Sequence, residues 1–140
     1  MIRTDWNGTS HNGFTWQPKG KWTEALDWNT KPECNGGLFG QSPKASGFCK
    51  QGTRLVLCET KGEQIVVDGE KVKVRFAKII AVNGEIPFEF FKLPSLSLDL
   101  SGCDIKGITL PESIGGWLDL RGCDIKGITL PESIKSKVIR

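Results

Sequence analysis

Tyrosine is absent from this 140-residue chain, and histidine occurs once, as His11. A single imidazole leaves a Ser/His/Asp triad only His11 as its base, and no G-x-S-x-G, phosphate loop or H-E-x-x-H motif accompanies it. Cysteine never occurs as C-x-x-C. The gaps Cys34-x14-Cys49 and Cys49-x8-Cys58 argue against a zinc site shared with His11, and no metal or cofactor is assigned. Five cysteines, an odd number loosely spaced, predict reduced thiols. No apolar run is long enough to cross a bilayer, and "MIRTDWNGTSHNG" lacks the apolar centre of a signal peptide. The expected location is therefore cytoplasmic, with no membrane partner.

A large charge excess is missing too. The net charge is +3, with 13 basic and 10 acidic residues over 1–97 against 3 basic and 6 acidic over 98–134. Neither part has the excess of a dedicated nucleic-acid binder.

What the chain has is a repeat. Leu98–Ile114 and Leu118–Ile134 differ only at Ser101 against Arg121, with a period of 20 residues. Each copy reads L-D-L-x-G-C-D-I-K-G-I-T-L-P-E-S-I. The alternating Leu118 and Leu120 signal a strand, and the glycines and Pro131 punctuate the rest. Residues one period apart should stack, Cys103 under Cys123 and Leu98 under Leu118. Two copies are too few to bury a core alone, where at least ~3 are normally needed, so they must lean on the preceding residues. The pattern resembles a short leucine-rich repeat, L-x-L-x-x-[N/C]-x-L followed by Leu-Pro, with two extra residues before the Leu-Pro pair. That resemblance implies a small solenoid whose outward positions Asp99, Ser101, Asp119 and Arg121 form a face.

Residues 1–92 read as short strands and turns: "GFTWQ", "KWTEAL", "TRLVLCET", "EQIVVDG" and "KVKVRFAKIIAV". Asp68-Gly69 marks a hairpin, at most one or two short helices are expected around Ser42–Phe48, and "IPFEFFK" bridges to the first copy. The expected fold is mainly β, with α+β as the alternative class. A small N-terminal β domain (1–92) is extended by a short leucine-rich-like β-solenoid (93–140). Trp6, Trp16, Trp22 and Trp28 crowd the first 28 residues and, with Phe14, form either a core or an aromatic binding surface. In "KVKVRFAK" the basic residues Lys71, Lys73 and Arg75 alternate with apolar ones, predicting a basic stripe on one strand face.

"GFTWQPKGKWTEALDWNTKPECNGGLFG", followed by "LVLCE" and "GEKVKVRFAKIIAV", resembles a family of uncharacterised bacteriophage and prophage proteins with a W-T-E segment and a P-x-C-x-G-G-L-H motif. Phe39 stands where that family has His, so an activity tied to that His is not expected. The resemblance implies a phage or prophage origin and the cytoplasm of a bacterial host. The resulting expectation is a non-enzymatic binding protein that covers a surface of a host protein or ribonucleoprotein complex, such as a CRISPR defence complex, through Lys71, Lys73, Arg75, Asp119 and Arg121. Two alternatives remain. The G-G-L-F-x-x-S stretch is similar to a strand motif of ADP-ribosyltransferases, which implies a pocket at Gly36–Ser42 with His11 and Glu85 or Glu89 as stand-ins for catalytic groups. Direct nucleic-acid binding through the basic stripe is the other.

Overall fold

The computed structural model describes residues 1–10, 13–45, 52–93 and 96–140. Its strands are β1 (Ile2–Asp5), β2 (Trp22–Glu24), β3 (Leu38–Gly40), β4 (Arg54–Lys61), β5 (Ile65–Val67), β6 (Lys71–Val74), β7 (Phe76–Val82), β8 (Leu98–Asp99), β9 (Leu118–Asp119) and β10 (Val138–Ile139). Two one-turn helices, α1 (Phe88–Phe91) and α2 (Glu132–Lys135), and a 3-10 turn at Asn83–Glu85 complete the regular structure of the described residues. The protein is mainly β. No helix among the described residues is long and apolar enough to cross a membrane.

Three sheets form, ordered β1-β4-β7-β2, β3-β6-β5 and β10-β9-β8. The first two are antiparallel. "KVKVRFAKIIAV" forms two strands that part at Arg75 and enter different sheets. Asp68 and Gly69 both take positive φ, 54° and 69°, and Glu70 N–H donates to Val67 O across them. That is the mirror-image turn that Asp-Gly favours, because its twist matches the flanking strands. At Ser42–Ala45, the described part of the stretch where at most one or two short helices are expected, Ser42 and Ala45 bond each other's backbone in a turn; the rest of that stretch lies outside the described residues.

Over Leu55–Cys58 β4 is buried on both faces, and its alternation sorts residues into two cores. Leu55 and Leu57 join Ile2, Ala81, Ile86 and Phe91 in a cluster with the leucines and isoleucines of the repeat. Val56 and Cys58 point the other way, to Trp16, Leu38, Val72 and Val74. β7 serves both cores because of an irregularity: Leu57 pairs Ala81 while Cys58 pairs Ile79, so Ile80 is an extra residue. Such a bulge resets which side chains face which side. The four-stranded sheet is thereby the middle layer, with the repeat copies against one face and β3-β6-β5 against part of the other. Ile86 and Phe91 of the "IPFEFFK" bridge are buried in the shared core.

The copies stack in parallel register, Leu98 opposite Leu118. A third rung follows: Val138 pairs Leu118, and Leu118 N–H donates to Lys137 O at 2.9 Å. Val138 lies one period beyond Leu118, so Val138 and Ile139 occupy the L-D position of a further rung. Within each copy the aspartates hold the turns. Asp99 Oδ1 accepts from Ser101 N–H at 2.9 Å and Asp119 Oδ1 from Arg121 N–H at 3.0 Å. Asp104 and Asp124 likewise accept from the amides of Lys106 and Lys126. Short side chains that bond backbone two residues on are the ordinary chemistry of such turns.

Candidate functional site

The expected basic stripe is not a surface. Lys71 and Lys73 of β6 are buried, Lys73 completely, and only Arg75 is exposed. β6 lies in the centre of its sheet, and both of its faces are covered. The Lys73 stem runs under the loop that precedes β3, and its ammonium donates to Asn29 Oδ1 and Asn35 O, each at 3.0 Å. The Trp28 ring lies 5.6 Å away. Gly37 packs closely on this stem, where a Cβ would stand 3.1 Å from Lys73 Cβ. Arg75 is tied to Glu24 at 2.8 Å.

Asp119 also differs from expectation. It is buried and turned back on its own loop, where Arg121 closes a salt bridge at 2.6 Å. Hydrogen bonding from Arg121 holds its carboxyl below the usual range. Arg121 remains exposed, so of this pair only the guanidinium faces solvent.

The tryptophans divide. Trp16 is buried and Trp28 is half-buried against the second core, whereas Trp6 and Trp22 are exposed. Cys34 is exposed and Cys58 buried. His11 and Cys49 lie outside the described residues, and no group of three or more His, Cys, Asp or Glu among the described residues could hold a metal. Glu85 bonds Lys19 and Val82 N–H at the surface, and Glu89 is exposed on α1; neither lines the cleft beside Gly36.

A different surface gathers residues from three strands. Cross-strand partners share a face in an antiparallel ladder, and two rows cross the outer part of the middle sheet: Glu59–Lys78–Trp22 and Lys61–Phe76–Glu24. This is the same face that carries Leu55 and Leu57 further along, but here the repeat does not cover it. Trp22 is 38% exposed. Lys78 Nζ lies 4.8 Å and Lys61 Nζ 5.8 Å from the Trp22 ring; Lys61 also lies 5.2 Å from Phe76. Lys78 pairs Glu59 at 2.9 Å and Arg75, stacked on Phe76, pairs Glu24. The signal was in the sequence: "RFAK" places Phe76 and Lys78 on one side of a strand. Their partners Trp22 and Lys61 come from strands whose pairing the sequence does not state.

No family model, curated protein or solved structure matches this chain.

Proposed function

We propose that the chain is a binding protein that occupies the surface of another protein, and that the platform of Trp22, Phe76, Lys61 and Lys78 is its contact. The observation that carries this reading is the half-exposed Trp22, held by lysines on a sheet face that is otherwise covered. Trp and Arg are the residues most enriched where truncation costs binding energy, and a ring of near-neutral polar contacts around them excludes water. The mixed charge favours a protein over nucleic acid, because Lys78 and Arg75 already face Glu59 and Glu24. The stacked copies are read as a short leucine-rich-like solenoid that braces the sheet and presents Arg121 at its edge. Phage or prophage origin, and a bacterial defence complex as target, follow from the resemblance of the W-T-E and G-G-L segments and belong to the same proposal.

The test is capture from a bacterial lysate with tagged wild-type chain and a Trp22→Ser/Lys61→Glu double variant, both verified as folded. Enrichment of one host protein or complex that the variant loses supports the reading. Retention of nothing, or of the same set by both baits, overturns it.

A further inference from the structure

β2 is an outer strand of the middle sheet, and its far edge is open. Ala25 N–H donates to Arg75 O at 2.8 Å, and the bonds of an antiparallel pair fall on alternate residues. Thr23 and Ala25 therefore turn their main-chain groups toward β7, while Trp22 and Glu24 turn theirs away from the sheet. Among the described residues no other group bonds these outward N–H and C=O atoms. An open edge of this kind is a template for one more strand. We infer that β2 pairs antiparallel with β2 of a second copy of this chain, so that the two middle sheets become one across a two-fold axis at Thr23.

Charge and strand length select the register. With Thr23 opposite Thr23, Trp22 of each copy faces Glu24 of the other, and every outward N–H and C=O of these residues is bonded. A shift that sets Glu24 opposite Glu24 brings like charges together, which is destabilising. The opposite shift sets Trp22 against Trp22 and Glu24 against Gly20, which precedes β2 and whose N–H is already given to Ile79 O.

The side chains are complementary in the Thr23-centred register. On the platform face the row Glu59–Lys78–Trp22 of one copy runs on into Glu24–Phe76–Lys61 of the other, so no like charges stand opposite at the seam. Lys61 gains most. Within one chain its ammonium is near only the rings of Trp22 and Phe76, at 5.8 and 5.2 Å, whereas Lys78 and Arg75 already have Glu59 and Glu24. Glu24 of the second copy arrives beside the Trp22 ring that Lys61 and Lys78 flank, and brings a carboxylate to that side. Leu26 follows the strand and is 90% exposed in the single chain; at the end of the seam it gains apolar cover.

β2 is three residues long, and stable interfaces bury about 1,200–2,000 Å², so the dimer is weak and reversible. The two-fold axis runs through the sheet, which leaves both Trp22 platforms on one side and open. The pairing thus adds to the contact proposed above and does not depend on it.

The experiment is sedimentation velocity on the full chain over a hundredfold range of concentration up to about 1 mM, repeated on Glu24→Ala and Glu24→Pro. Both substitutions remove the ion pair with Arg75, but only proline removes the outward N–H, and proline is tolerated at an edge position whose N–H faces solvent. Expected is a wild-type sedimentation coefficient that rises with concentration toward that of a dimer, with association weakened in Glu24→Ala and at least tenfold further in Glu24→Pro. A single monomeric species at every concentration overturns the inference, as does a dimer that Glu24→Pro weakens no more than Glu24→Ala. If Glu24→Pro does not fold, amide hydrogen exchange of the wild type decides. The Trp22 and Glu24 amides should exchange at least twofold more slowly at the concentrated end, and unchanged exchange overturns the pairing. Protection that arises only with a host protein captured on the Trp22 bait gives the edge to that protein and overturns it too. A failed capture leaves the sedimentation result unaffected.

Discussion

The side-chain amide of Gln41 stands in for a strand against Asp99: its Oε1 accepts from Asp99 N–H at 3.1 Å and its Nε2 donates to Asp99 O at 3.3 Å. Asp99 is in β8, the outer strand of the parallel stack, whose backbone groups on that side have no further strand to bond. Gln41 is 1% exposed, and its own N–H and C=O bond Ile2 of β1. One residue therefore joins the antiparallel β part to the first rung of the repeat. An orphaned buried peptide group costs about 1–3 kcal/mol, so Gln41→Leu should lower stability by about 2–4 kcal/mol. Gln41→Glu buries a carboxylate with one oxygen against Asp99 O, so at pH 7 it should cost at least as much as Gln41→Leu. Urea unfolding of the three proteins checks the order.

Lys73 is expected to matter for stability rather than for contact with a partner. Replacing it with Met keeps the stem that packs on Gly37 but removes the donor to Asn29 Oδ1 and Asn35 O. The expected loss is about 1–3 kcal/mol, with faster proteolytic cutting between residues 29 and 37. Limited proteolysis with mass mapping reads the second effect directly.

The Asp119–Arg121 pair makes a signed pH prediction. The native carboxyl lies below its ordinary value, chiefly because Arg121 hydrogen-bonds it. Its charge therefore stabilises the fold above the unfolded pKa of about 4, and that contribution is lost as pH falls through the native value. Asp119→Asn should cost about 0.5–1 kcal/mol at pH 7, because Arg121 is exposed and the pair is screened. The difference from wild type should shrink to nothing in strong acid. Unfolding curves at pH 7, 4 and 2.5 test the sign.

Thiol reactivity should separate Cys34 from Cys58. Burial pushes the Cys58 thiol up to about 11, so almost none is thiolate at pH 8, and the thiolate is the nucleophile. Iodoacetamide at pH 8 should modify exposed Cys34 in the native chain and reach Cys58 only after denaturant is added. Peptide mass spectrometry distinguishes the two.

These residues also mark how far the sequence could be read. The repeat, its period and its packing against the preceding β part were legible, because identical letters recur at a fixed spacing and leucine patterns are physical statements about burial. The Asp68-Gly69 turn was legible for a similar reason, since few residues tolerate positive φ. Lys71 and Lys73 misled because alternation reports which side a residue leaves the strand, not whether a second layer waits there. A lysine stem is apolar and long enough to carry its charge under a loop. Asp119 misled in the same way: in a short repeat the polar positions that look outward are needed by their own turns. The Trp22 platform and the open edge of β2 depend on pairings between distant segments, and local pattern holds no record of those.

Val138 and Ile139 add a rung beyond β9, while the Gln41 amide bonds the rung at β8. Between these rungs lie two near-identical copies, and strands in a sheet are spaced about 4.8 Å apart. An added 20-residue unit between β8 and β9 would displace the β10 rung by one such step and leave the Gln41 contact in place. Arg121 and β10 are thereby set at a distance from β8 that is counted in whole copies, and the protein carries a ruler whose graduations are written in its own sequence.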